Sequence, residues 1–192
     1  PLTMNSLITF IQANLPVIRK NAIQIIEDSF VQKNWKKGAL LLSQGDVCKN
    51  LYFLSEGICR SFSSKDEEEI TTWFSFTNDF ITSFTSFFPR VPSYESIEML
   101  SDGMLYQISY ERLHAIRSAS LEIERSINYF SLLYTIQLEK RLYLIQTLTA
   151  SEKYKAILQH EPHLIQHISN KHLASYLGIT RETLSRIRSG IS

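Results

Sequence analysis

Apolar positions mark two stretches of helical period with a stretch of strand texture between them. Leu7, Ile11, Leu15 and Ile18, then Ile23, Ile26 and Phe30, keep helical spacing over residues 5–30. Pro16 interrupts that stretch, so one or two short helices are predicted there. From residue 35 to residue 108 the texture changes. Short β-branched and aromatic runs at 39–42, 51–54, 58–62 and 71–76 alternate with the turn pairs Gly45-Asp46, Glu56-Gly57 and Asn78-Asp79. Strands this short and this closely spaced predict a small barrel or sandwich. The run Asp66, Glu67, Glu68, Glu69 falls between two strands and reads as a solvated hairpin tip.

Helical period returns near Tyr110. Ile123, Ile127, Phe130, Tyr134, Leu138, Leu142, Ile145 and Leu148 follow three- and four-residue steps with no glycine or proline among them. A small barrel covers only part of so long a stripe. The remainder is predicted to pack against the same helix of a second chain, burial within one chain being the alternative. Thr149-Ala150-Ser151-Glu152 has the form of a capping box and so predicts a helix break that serves as a hinge. The next helix is expected to run to about His160 and to stop before Pro162.

Residues 169–189 carry the most specific pattern. Ser169 is placed to cap a helix holding Leu173, Ala174 and Leu177. Gly178 supplies a tight turn, Ile179 plugs the core, and Thr180 caps a second helix carrying Leu184 and Ile187. This is the spacing of a helix-turn-helix. With Leu184 and Ile187 inward, Arg181, Glu182, Ser185, Arg186 and Arg188 point outward. Arginine donates two hydrogen bonds to guanine O6 and N7, and glutamate accepts one from cytosine N4. Arg181, Glu182 and Arg186 are therefore the candidate base readers. Ser169, Lys171, Thr180, Ser185 and Arg188 suit phosphates. A plain helical hairpin that binds no DNA is the alternative.

Charge supports this picture. Residues 151–192 hold six basic and three acidic side chains, net +3, whereas residues 1–150 hold 14 basic and 16 acidic, net −2. A basic end suits a polyanionic partner. The 192 residues suffice for one large domain or a moderate domain plus a small one, and 44% hydrophobic residues can bury a core. No apolar run approaches a membrane span and no signal peptide is visible, so a cytoplasmic location is expected. Pro1 is not an initiating residue, and the first residues are expected to be trimmed or foreign to the natural chain. Cys48 and Cys59 are too few for a disulfide scaffold or an iron–sulfur cluster and read as barrel residues. His160, His163, His167 and His172 bunch before the reading motif, but Pro162 interrupts the helix that would align them. No metal and no cofactor are expected. A cupin-type metalloenzyme would need histidines on its strands, and residues 35–108 contain none, so no enzymatic activity is expected.

The segment Ile168-Ser-Asn-Lys-His-Leu-Ala-Ser-Tyr-Leu-Gly178-Ile-Thr-Arg181-Glu182-Thr-Leu-Ser-Arg186-Ile187 resembles the DNA-reading motif of the cyclic-AMP receptor protein / fumarate-nitrate regulator (Crp/Fnr) family. Gly38-Ala-Leu-Leu-Leu-Ser-Gln-Gly45-Asp46 and Leu51-Tyr-Phe-Leu-Ser-Glu-Gly57 resemble that family's β-roll turns, and Asp79-Phe-Ile and Ile108-Ser-Tyr110 continue in register. The resemblance implies an α+β fold: a cyclic-nucleotide-binding-like β-roll (a jelly-roll barrel) with flanking helices, a long dimerisation helix and a C-terminal helix-turn-helix. The expected division is a sensor domain at 1–117, a dimerisation helix at 118–148 and a DNA-binding domain at 149–192. A homodimer, pseudo-palindromic double-stranded DNA with a half-site like TGTGA, and RNA polymerase are the implied partners. By the same carry-over Arg181 and Arg186 would read guanines and Glu182 a cytosine.

The nucleotide pocket departs from the family. Its ribose-binding turn and phosphate-binding segment fall here on Thr82-Ser83-Phe84 and Ser93-Tyr94-Glu95, without the family's carboxylate and arginine. The pair that meets adenine becomes Leu138-Glu139. Thr82, Ser83, Phe84, Ser93, Tyr94 and Leu138 thus outline a degenerate pocket, and Glu95 would repel a phosphate. Cyclic-AMP binding is expected to be lost, with another small ligand or none in its place. Arg90 is out of register to replace the missing arginine. Where relatives often continue into a β-hairpin wing, this sequence stops, and weaker DNA binding is expected from it. A β-roll module that binds a ligand or protein but no DNA is the alternative function.

Overall fold

The computed structural model describes residues 5–15, 17–66 and 68–190. The expected break at Pro16 and the Glu67 position of the acidic run lie outside the described residues. Among the described residues two short helices, α1 (Asn5–Asn14) and α2 (Lys20–Glu27), precede eight strands and a one-turn helix. These are β1 (Val31–Trp35), β2 (Leu40–Leu42), β3 (Asn50–Glu56), β4 (Cys59–Lys65), β5 (Glu68–Ser75), β6 (Phe80–Ile81), α3 (Phe84–Phe87), β7 (Ser96–Met99) and β8 (Gly103–Ser109). Then follow α4 (Tyr110–Ala119), α5 (Leu121–Thr147), α6 (Ala150–His160), α7 (Pro162–His167), α8 (Asn170–Leu177) and α9 (Arg181–Ser189).

The strands form two antiparallel four-stranded sheets, ordered β1-β8-β3-β6 and β2-β7-β4-β5. β3 lies between β8 and β6, and its Tyr52, Phe53, Leu54 and Ser55 are all buried. A strand covered on both faces needs no polar alternation, which is why residues 51–54 read as a continuous apolar run. Phe53, Leu54, Ile97, Met99, Leu105 and Ile108 are sealed inside the roll. The turn from β3 to β4 runs against β8: a Cβ on Gly103 would lie 2.2 Å from the Glu56 carbonyl oxygen, so only glycine fits there.

The structure corrects the boundary between the first helical stretch and the roll. Helix α2 ends at Glu27, and residues 31–35 form strand β1 rather than leading into it. β1 pairs on one side only, with β8, and its first four residues are exposed. An edge strand with polar Gln32, Lys33 and Asn34 lacks the apolar alternation that identifies a strand. The acidic run is corrected too. Asp66 takes the turn with a positive φ of 51°, but Glu69 belongs to β5 and pairs with Arg60 at 2.7 Å instead of standing in solvent.

The helical half follows the expected pattern closely. α5 runs uninterrupted for 27 residues. Leu148 turns extended, and Thr149 caps α6 through the full capping box: its hydroxyl accepts from the Glu152 N–H while the Glu152 carboxylate accepts from the Thr149 N–H at 2.8 Å. α6 ends at His160, and Pro162 starts the short helix α7, where a missing N–H costs nothing. Among the described residues no helix is long and apolar enough to cross a membrane.

Candidate nucleic-acid interface

The C-terminal module is built by local rules. Ser169 caps α8, accepting from the His172 N–H at 3.3 Å. Gly178 closes α8 in the left-handed conformation, φ 65° and ψ 37°, where any other L-residue would be strained. Thr180 then caps α9, accepting from the Thr183 N–H at 3.1 Å. Leu184 is fully buried against a cluster with Tyr154, Ile157, Leu173, Ala174 and Leu177. That inward face fixes the outward one. Arg181, Glu182, Ser185 and Arg186 are exposed, as are Ser169, Lys171 and Thr180.

The side chains differ in how free they are. Arg186 donates weakly to the Thr183 hydroxyl at 3.3 Å, and Arg181 extends from the first turn. The α9 N-terminus holds the Glu182 carboxyl below the usual carboxylate range, chiefly through its own backbone N–H and then the Thr180 hydroxyl, so Glu182 is an acceptor at neutral pH. Arg188 departs from the outward position expected for it. It is half-buried, donates to Asn170 Oδ1 at 2.6 Å, and lies 5.7 Å from the Tyr154 ring centroid. It ties α9 to the start of α8.

The module is also fastened to the roll, by contacts that no local pattern announces. The Thr71 N–H of β5 donates to Ser175 Oγ of α8 at 2.9 Å, and that hydroxyl donates to the Glu69 carbonyl at 3.0 Å. Phe74 packs on Tyr176, ring centroids 5.0 Å apart. Arg60, 4% exposed on β4, donates to Glu98 at 2.9 Å and to Glu69 at 2.7 Å, and meets His172 Nδ1 at 3.1 Å. A guanidinium only donates, so His172 accepts through Nδ1 and carries its proton on Nε2. Burial, then the Arg60 charge, holds the His172 pKa below its usual value. The one sequence signal was a lone arginine inside a strand.

The degenerate pocket is only partly brought together. Ser83 and Ser93 are buried and share a hydrogen bond at 3.1 Å, and Ser93 also donates to the Glu95 carbonyl at 2.8 Å. Thr82 donates to the Asn50 carbonyl at 3.1 Å. Phe84 stacks on Tyr134 of α5, ring centroids 4.3 Å apart, and Tyr134 in turn meets Trp73 at 5.6 Å. Burial, with Glu95 adding, pushes the Tyr134 phenol up to about 12. Burial likewise raises the Glu95 carboxyl. Tyr94 and Leu138 stand apart, 64% and 41% exposed. Tyr134, not Leu138, is the α5 residue that meets this region, one helical turn nearer the start of α5. Arg90 donates to the Cys48 carbonyl at 2.5 Å and lies over Tyr110.

Cys48 and Cys59 are buried free thiols, and burial pushes Cys59 up to about 12. Among the described residues no group of three or more His, Cys, Asp or Glu side chains converges as a metal site would require. His163 packs edge-on against Phe76, and His172 faces Arg60.

A two-sheet roll joined by a long helix to a compact module of short helices defines the class. Residues 32–120 match the family model of the cyclic nucleotide-binding domain. FixK2 from Bradyrhizobium japonicum superposes with a TM-score of 0.71 at 17% identity, covering 84% of both chains. The c-di-GMP responsive global regulator CLP of Xanthomonas campestris gives 0.71 at 17% identity, covering 90% of this chain and 91% of its own. A Eubacterium rectale protein described as a transcriptional regulator of the Crp/Fnr family gives 0.69 at 20% identity, covering 88% and 82%. No curated protein sequence matches this chain. Residues 32–120 are therefore similar to the cyclic nucleotide-binding domain, and along most of its length the chain shares the fold of these solved structures, one of them described as a regulator of the Crp/Fnr family.

Proposed function

We propose that this chain is a sequence-specific, DNA-binding transcription regulator of the Crp/Fnr type whose β-roll no longer takes cyclic AMP. The observation that carries the reading is the outward face of α9. Arg181, Glu182 and Arg186 are exposed above the buried Leu184, on a helix whose first turn faces outward. Arg181 and Arg186 read guanines, Glu182 accepts from a cytosine, and Ser169, Lys171, Thr180 and Ser185 hold the backbone. Arg188 acts by bracing α9 through Asn170. The apolar face left exposed along α5, including Leu132, Ile136, Leu138, Leu142, Tyr143 and Ile145, supports pairing with a second copy, which would set two reading helices on successive major grooves.

Selection of bound duplexes from a random pool tests the reading. It is expected to return a pseudo-palindrome. Arg181→Ala and Arg186→Ala should each lose about 1–3 kcal/mol and relax the preference at one base pair, whereas Lys171→Ala should weaken all sequences alike. A pool that shows no enrichment would favour a β-roll module that acts without DNA. Loss of cyclic-AMP binding is supported by the register that sets Glu95, whose carboxylate accepts from the Thr72 hydroxyl at 3.4 Å, in the phosphate-binding segment, and by Phe84 stacked on Tyr134. Calorimetric titration is expected to show no micromolar affinity for cyclic AMP.

A further inference from the structure

A cavity of about 930 Å³ runs between the roll, α5 and the helix-turn-helix module. It adjoins the degenerate nucleotide pocket, sharing Phe84 and Tyr134 with it, and extends from there to Arg141 and Tyr176, away from Ser83 and Ser93. Trp73, Phe74, Phe130, Tyr134, Leu144 and Tyr176 are among its walls, so aromatic and aliphatic side chains share the lining. Into it reaches Arg141 of α5. The Arg141 guanidinium lies 3.5 Å over the Tyr176 ring, and its Nη2 donates to the Tyr176 carbonyl. Nη1 is buried with no acceptor. Glu161 also lines the cavity and attracts Arg141 at longer range, but accepts no hydrogen bond from it. Lys140 adds positive charge to the wall and Asp79 negative, and His160 and His163 also line it.

A buried guanidinium N–H without an acceptor is costly, and an anionic oxygen relieves it with a charge-assisted bond. Aromatic walls prefer a flat ring, by offset or edge contact. We propose that this cavity is a binding site for a small aromatic carboxylate, its ring among the aromatic side chains and its carboxylate on Arg141 Nη1. The ligand would touch Trp73 and Phe74 of β5, α5, and Tyr176 of α8 together, and so link the roll to the module. The site itself does not depend on DNA binding; only that regulatory consequence rests on the regulator reading.

The probes are 1-naphthoate and its uncharged counterpart 1-naphthamide, titrated calorimetrically into the full chain. Naphthoate is expected to bind and naphthamide to bind at least about tenfold more weakly, since a charged hydrogen bond separates them. Arg141→Gln should remove that difference by weakening naphthoate alone. Leu144→Trp, which keeps Arg141 and narrows the cavity beside it, should weaken both, and it locates the site even if Arg141→Gln disturbs folding. No naphthoate binding up to about 1 mM, equal affinity for acid and amide, or full binding by Leu144→Trp would each overturn the proposal. The duplex selection is run on the same protein. Binding of naphthoate without DNA selection leaves this site standing and removes the regulator, and the reverse result removes the site alone.

Discussion

His172 shows how one residue makes the contact between roll and module sensitive to pH. Its Nδ1 must stay unprotonated to accept from Arg60, while Lys171 also opposes a charge there and Glu69 and Glu98 favour one. The balance lowers the folded pKa. Below the ordinary value of 6.5 the unfolded chain therefore takes up a proton that the folded chain resists. Stability is full above that value, declines as pH falls through it, and goes on declining until the folded pKa is passed. Melting curves between about pH 7.5 and about pH 5 should show this fall. His172→Gln, whose amide oxygen can still accept from Arg60, should show a shallower one, and identical slopes would remove His172 from the account. The neighbouring residues divide by how local their cause is. Ser169, Gly178 and Thr180 were legible because a cap or a left-handed turn is decided within three or four residues. Arg60 and His172 stand 112 residues apart in the chain, and nothing in either neighbourhood announces the other.

Among the elements, α5 was the most legible and β1 the least. A stripe kept over residues 123–148 with no breaker has one physical meaning, and the helix found, Leu121–Thr147, differs from the expected 118–148 by three residues at the start and one at the end. β1 is an edge strand facing water, so its polar residues carried no period. The sequence signal for α5 also exceeded what one chain buries. Ile123 and Ser126 are covered, but from Leu132 onward the apolar residues are largely exposed. Covering such side chains contributes about 25 cal/mol per Å² of apolar surface removed from water, and the paired helix of a second copy can supply the cover. Light scattering should report a dimer. Replacing Leu138 and Leu142 together by glutamate should yield a monomer whose melting point, measured at low concentration, changes little, because neither side chain belongs to a buried core of the single chain. A monomeric wild-type protein would remove the dimer from the model.

At the scale of the molecule, α9 is positioned through α8, since α9 packs on α6 and α8 while, among the described residues of these three helices, α8 is the one hydrogen-bonded to the roll. Ser175 holds the shortest of those links. Its hydroxyl accepts from Thr71, which is 2% exposed, and donates to Glu69. Ser175→Ala strands a buried backbone donor at a cost of about 1–3 kcal/mol in the docked arrangement. Releasing α8 exposes that donor to water, so the cost falls on docking rather than on either unit's own core. Local opening free energies differ across a structure, and amide exchange reads them separately. In Ser175→Ala, exchange is expected to quicken at Thr71 and across the α8 amides that face the roll, while Phe53, Leu54, Leu105 and Tyr106 in β3 and β8 keep their protection. Uniform quickening throughout would mean that roll and module unfold as one unit, and the module could not then move separately in response to a signal. Confined quickening would leave it free to do so, with Arg60, Ser175 and Tyr176 as the contacts that such a signal must weaken or strengthen.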